Sequence, residues 1–158
     1  MHVVVLGCGR VGAMLASMLE TEGHTVAIID RDPESFRRLS ADFRGKTILG
    51  IGIDEDILKK AGIERAGGFA ACTNGDNSNI MSAQIAKVKY KVPRVIARIY
   101  DPLRAEAYRE FGIDTISPTL LGAGLCMDFL AARPWRTIEQ YHAVREARLL
   151  SAEPEGGE

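Results

Sequence analysis

Short apolar runs alternate along this chain with stretches whose apolar positions recur at helical spacing. His2 to Leu6 is a continuous apolar run of the kind buried on both faces of a parallel sheet. From Gly9 to Glu22, Val11, Met14, Leu15, Met18 and Leu19 share one helical face, and Gly23 stops the helix. The alternation then repeats. Thr25 to Ile29 reads as a second strand closing on Asp30, and Asp32-Pro33 opens a second helix through Ser40. Lys46 to Leu49 is a third strand, followed by a helix capped by Asp54, running to Ala61 and ended by Gly62. Phe69 to Cys72, Arg94 to Ile99 and Asp114 to Ile116 complete six strands, with helices predicted over Asn77 to Lys89, from Asp101-Pro102 to Phe111, and from Thr119 to Ala132. Strands and helices in strict alternation predict an α/β fold, a doubly wound parallel six-stranded sheet with helices on both faces.

Beyond residue 133 the pattern breaks. Residues 134–150 read as a helical extension, amphipathic from Trp135 to Leu150, and 151–158 as a disordered acidic tail with Pro154, Gly156 and Gly157. At 158 residues and 46% hydrophobic, the chain can bury one core, so residues 1–133 are expected to be one domain without a separate catalytic partner domain. The 20 basic and 21 acidic side chains leave a formal charge of −1, which gives no electrostatic footprint for nucleic acid. Cys8, Cys72 and Cys126 are too scattered for a disulfide framework or a zinc site and fit a reducing cytoplasm. No run approaches the roughly 18 apolar residues that span a bilayer, so direct membrane insertion is not expected.

The first strand ends in Gly7-Cys8-Gly9-Arg10-Val11-Gly12, directly before the first helix. In that context each glycine has work to do: Gly7 permits the tight turn, Gly9 lets backbone approach a phosphate, and Gly12 allows close packing of helix on strand. The helix N-terminus presents free amides and partial positive charge to an anion. Asp30 lies about 20 residues further on, where a carboxylate can accept both ribose hydroxyls; its alternative is to open the turn into Asp32-Pro33. Together these are the marks of a Rossmann-type nucleotide-binding domain. Arg31 can accommodate a 2′-phosphate, although Asp30 favours the unphosphorylated ribose.

Arg10 lies inside the phosphate turn and can bind additional phosphate charge in bidentate fashion, or else belong to a solvated helix face. Arg98, ending the fifth strand, reaches the same carboxyl edge of the sheet, as does Thr73-Asn74-Gly75-Asp76 after the fourth. A surface ion pair and a plain turn are the competing explanations there. Cys8 is either a low-pKa thiol at a helix N-terminus or a small filler. Hydride transfer needs an acid or base beside the nicotinamide; His2 and His24 start strands at the far edge and His142 lies beyond the domain. No Tyr/Lys pair at short-chain-reductase spacing, nucleophile elbow, Walker lysine or metal cluster appears. An oxidoreductase, or the cofactor half of one, remains the alternative to a binding domain; a nucleotide-sensing transcription factor ranks below both.

Gly7 to Gly12, Gly23 to Asp32, Cys72 to Asn79 and Val95 to Pro102, in that order, resemble the N-terminal nucleotide-binding (RCK, or KTN) domain of TrkA-type potassium-uptake regulators over about residues 1–133. The resemblance implies a non-enzymatic regulatory subunit that binds NAD(H) or an adenine nucleotide (ATP, ADP or AMP). It implies a cytoplasmic protein, peripheral to the inner face of the cell membrane, forming dimers and then a ring beneath a membrane potassium-transport subunit. Carried over by position, Gly7 to Val11, Asp30, Thr73, Asn74 and Arg98 would contact the nucleotide. Members often carry an acid and a threonine around the glycine after the third strand, where this chain has Ile51-Gly52-Ile53. Members also commonly carry a further ligand-binding domain.

Overall fold

The computed structural model describes residues 1–110 and 112–142. Six parallel strands form one sheet: β1 (His2–Leu6), β2 (Thr25–Asp30), β3 (Lys46–Leu49), β4 (Gly68–Ala71), β5 (Arg94–Arg98) and β6 (Asp114–Ile116). Their order across the sheet is β3-β2-β1-β4-β5-β6. The chain reverses its direction of winding between β1 and β4, which opens a crevice at the carboxyl edge beside β1.

Period-two alternation assigns β1 and β2 to two cores. Val3, Val5, Val26 and Ile28 pack with Ala13 and Ala16 of α1 (Arg10–Thr21) on one face. Val4, Leu6, Ala27 and Ile29 face the other way, toward Leu58 of α2 (Glu55–Lys60), Ile80 and Ala83 of α3 (Asp76–Gln84) and Ala105 of α4 (Pro102–Glu110). Val4, Val5, Ile28 and Ile29 are wholly buried, and each such side chain contributes about 2 kcal/mol of hydrophobic stabilisation. Helices thus cover both faces, and the doubly wound sheet is as the alternation predicts.

Two helices differ from expectation. The segment expected to be a helix through Ser40 is a short 3-10 helix, Pro33–Arg38, capped by the Asp32 carboxylate, which accepts from Glu34 N–H at 3.0 Å. Its apolar anchors are Phe36 and Leu39. Residues three apart eclipse one another in a 3-10 helix, so this tighter winding brings both onto the core. After α3 the winding loosens into a π-helix over Ile85–Lys89, where Tyr90 N–H donates to Ile85 C=O at 3.2 Å and both side chains pack on the core. A short 3-10 turn, Ile63–Arg65, precedes β4 without having been foreseen. Other element ends shift by a residue or two.

The chain divides into two compact units, the first spanning Met1–Ile116 and the second opening at Ser117. The expected domain over 1–133 therefore comprises the first unit and α5 (Pro118–Leu130) of the second. Within the second unit the chain after α5 is clasped to it. Asp128, buried on α5, accepts two hydrogen bonds from the Arg136 guanidinium, both 2.8 Å, and that guanidinium lies 4.8 Å from the Tyr141 ring centre. The expected helix from Trp135 begins at Ile138; its part beyond residue 142, and the expected tail 151–158, lie outside the described residues.

The Arg136 hydrogen bonds hold the Asp128 carboxyl below its usual 3.8, outweighing the upward push of burial. A carboxyl whose pKa is depressed by folding contributes stability at neutral pH that disappears as the pH falls below about 4. Carboxyl NMR titration is expected to place the Asp128 midpoint below 3.8, and Arg136→Met is expected to raise it. An unchanged midpoint in the variant would dissolve the clasp.

Candidate functional site

A cleft of about 630 Å³ opens at the carboxyl edge of the sheet in the first unit. One wall is the turn from β1 into α1. Gly7 adopts φ +94° and donates its N–H to Ile29 C=O at 2.7 Å, which turns the chain sharply at the end of β1. A Cβ on Gly7 would lie 2.7 Å from Thr73 N, so its bareness also lets the turn seat against the end of β4. Gly12 lies behind the wall, where a Cβ would stand 1.9 Å from Gly7 O. Gly9 has open space where its Cβ would be.

Gly9 is also the N-cap residue of α1 and supplies no side-chain cap. The first amides of this twelve-residue helix therefore face the cleft without a side-chain acceptor. Unoccupied amides and the helix dipole together favour an anion there.

Asp30 closes the other side of the turn. One carboxylate oxygen accepts from Cys8 N–H at 2.6 Å and the other from Asp32 N–H at 2.9 Å. The residue therefore holds the turn to the end of β2 and starts the following loop, the second of these being the alternative to a ribose contact that the sequence offered. Each carboxylate oxygen has further acceptor capacity, and Asp30 lines the cleft.

Cys8 is fully buried. Burial first, and the neighbouring Asp30 carboxylate second, push its thiol up to about 11 against the opposing influence of Arg38. It is a small filler whose backbone, not its sulfur, serves the site. Burial likewise raises the Cys72 thiol, with Arg98 opposing. Iodoacetamide at pH 8 is expected to label exposed Cys126 and spare Cys8 and Cys72 in the folded chain, as read by peptide mass spectrometry. Rapid labelling of Cys8 would contradict this packing.

The far wall comes from β4 and β5. Asn79, wholly buried on α3, organises it: its Oδ1 accepts from Thr73 N–H at 2.9 Å and from the Thr73 hydroxyl at 2.7 Å, while its Nδ2 donates to Thr73 C=O at 2.9 Å and Arg98 C=O at 2.7 Å. Arg98 in turn donates to Thr73 C=O at 2.6 Å and stacks 4.5 Å from the Tyr100 ring centre. Its Nε is buried with no hydrogen-bond partner. Arg98 is therefore anchored at one nitrogen and has donor capacity left over, rather than forming a surface ion pair. Asp76 fastens the loop below by accepting from Tyr100 N–H at 2.9 Å and Asp101 N–H at 3.1 Å.

Of the residues singled out in the sequence, Gly9, Arg10, Val11, Asp30, Arg31, Thr73, Asn74 and Arg98 line this one cleft. Gly7, Cys8 and Gly12 lie behind its wall and shape it. Asn79, Arg38, Ser35, Ser78, Tyr100 and the Gly50 to Ile53 loop were not singled out as site residues, yet Asn79 supports the cleft and the others line it. Arg10 and Arg38 are exposed and paired with no carboxylate among the described residues. Four arginines thus surround the helix N-terminus and Asp30. His2 and His24 border a separate groove at the opposite edge of the sheet. Among the described residues, no group of side chains suits a metal ion, and no helix is long and apolar enough to cross a membrane.

The family model for the TrkA-N domain matches residues 3–118. The Trk system potassium uptake protein TrkA of Streptomyces coelicolor is 58% identical over 117 residues, covering 74% of this chain and 52% of the relative. The chain spans about half the length of such curated relatives. Two solved structures at low identity share the fold. The Kef CTD of Shewanella denitrificans, in AMP-bound form, superposes with a TM-score of 0.71 at 20% identity, covering 94% of this chain and 92% of that one. The GsuK channel bound to NAD gives 0.63 at 19% identity, covering 78% and 22%. With its model matched across the whole sheet and a relative more than half identical, the chain belongs to the TrkA-N domain family.

Proposed function

We propose that this domain is the nucleotide-sensing part of a regulatory subunit serving a membrane potassium-transport system, and that its ligand is NAD(H) or an adenine nucleotide. The observation that carries this reading is the uncapped N-terminus of α1 opening beside Asp30 into a cleft bordered by Arg10 and Arg98. Bare Gly9 leaves room for a phosphate at those amides, and the buried, unpartnered Nε of Arg98 is a donor in need of an acceptor. Asp30 would hold the ribose, the Gly9 to Gly12 amides the nearest phosphate, and Arg10 and Arg98 the remaining charge. The AMP and NAD bound by the structural neighbours support the ligand class.

The potassium-transport role rests on the Trk relatives. Within it, the domain acts as a cytoplasmic homo-oligomer, dimers assembling into a ring held against a membrane subunit. A nucleotide regulates such an assembly only if it binds one arrangement more tightly than another. Arg10 and Arg98 are the residues through which phosphate number is read, because their charge interacts differently with a monophosphate, a triphosphate and a dinucleotide. Small-angle scattering of the chain saturated with ATP, ADP, NAD or NADH is expected to yield at least two distinct assembly profiles. Superimposable profiles at saturation would remove gating from this domain. Steady NADH turnover with a carbonyl substrate would move the reading to an oxidoreductase.

A further inference from the structure

We infer that the base end of the cleft holds a flat nucleobase by apolar contact without reading its exocyclic groups, so that adenine, hypoxanthine and guanine nucleotides bind with similar affinity. This rests on the nucleotide reading above. The sheet order fixes which end is which. Phosphates at the β1–α1 turn and a ribose at Asp30 on β2 direct the base outward over the end of β3, the next strand across. Gly50 N–H donates to Asp30 C=O at 2.9 Å, so the loop that receives the base starts immediately beside the ribose carboxylate.

That loop offers Ile51 and Ile53, which are 59% and 41% exposed, next to Leu49 at 57%. Ile51 and Ile53 line the cleft, and large aliphatic groups left in solvent there gain by being covered. A purine ring supplies a flat apolar face that any of the three bases presents equally. Selecting adenine by a side chain would instead need an acceptor for its 6-amino group, and Gly50-Ile51-Gly52-Ile53 carries none. The remaining acceptor capacity of Asp30, beyond the Cys8 and Asp32 amides, goes to the ribose in this reading. The Asp32 carboxylate is turned to the Glu34 amide at 3.0 Å and the Ser35 hydroxyl at 3.3 Å. In the loop itself the Ile51 carbonyl accepts from Asp54 N–H at 3.0 Å. A Cβ on Gly52 would lie 2.3 Å from the Leu6 methyls, so a side chain there would require Leu6 to shift within the core.

Calorimetric titration of the chain with ATP, ITP and GTP tests this directly. ITP differs from ATP in carrying a 6-oxo group in place of the 6-amino group and, with it, a proton on N1, so both hydrogen-bonding positions of that edge are reversed while the ring face is kept. Apolar sites reject polar isosteres weakly whereas hydrogen-bonding sites reject them by orders of magnitude, so the three dissociation constants are expected to agree within about five-fold. Replacing Ile51 with serine is expected to weaken all three alike, by roughly five-fold, through lost apolar contact. ATP binding tightly while ITP or GTP binds more than about five-fold more weakly would overturn the inference and leave the nucleotide reading standing. Failure of all three, and of NADH, to bind would overturn both.

Discussion

Gly12→Ala is expected to cost the fold about 3 kcal/mol or more and to abolish ligand binding with it, whereas Gly9→Ala should fold normally and lose binding alone. At Gly12 the new methyl would lie 1.9 Å from the carbonyl oxygen of Gly7. The oxygen is backbone and the position of a Cβ is fixed by its own backbone, so no side-chain rotation relieves the clash. Either α1 lifts from the sheet, uncovering Ala13 and Ala16 from the core they share with Val3 and Val5, or the Gly7 turn unwinds. At Gly9 a methyl meets nothing within 4 Å, so only a ligand can object to it. Urea unfolding should therefore show a large drop in midpoint for Gly12→Ala and a small one for Gly9→Ala. Equal midpoints would mean that α1 is not packed on the turn as described.

Asp30→Ala should lower affinity for NADH and ATP by roughly a hundred-fold while costing about 2 kcal/mol of stability. The affinity loss follows from the ribose hydroxyls losing a charged acceptor. The stability loss follows from the Cys8 and Asp32 amides, which give up partners at 2.6 and 2.9 Å. Asp32→Ala provides the comparison: it removes a cap of the 3-10 helix at the rim of the cleft without touching the glycine turn, so it should cost stability and lower affinity far less than Asp30→Ala. Unaltered nucleotide affinity in Asp30→Ala would remove the ribose assignment.

The sheet could be read from the sequence because each strand is a short apolar run between turn signals, and residues such as Val4 and Val5, facing opposite cores, must both be apolar. The glycine turn was legible for a related reason. The demands at Gly7 and Gly12 are steric, come from neighbours close in sequence or on the adjacent strand, and leave no other residue possible. What stayed hidden was set by distant partners. Asn79 looks like an ordinary polar helix residue, and its burial and its bonds to Thr73 and Arg98 exist only once α3 lies across β4 and β5. Arg38 ends the 3-10 helix Pro33–Arg38 and lines the cleft, while Phe36 and Leu39 of the same stretch pack on the core, an arrangement that local propensity does not encode. For Asp30 the sequence offered a ribose contact or the start of the turn into Asp32-Pro33; the bond to Asp32 N–H is the second, and the bond from Cys8 N–H, which ties the glycine turn to β2, had no local signal in the sequence.

Backbone amide NMR during titration with NADH and, separately, ATP reads whether the open end of α1 receives the phosphates of a nucleotide. Saturable shifts are expected at the amides of Arg10, Val11 and Gly12, with accompanying changes at Asp30, Thr73 and Arg98 and none at His2 or His24 on the opposite edge. Spectra that remain unchanged, or that change only outside this cleft, would contradict that placement.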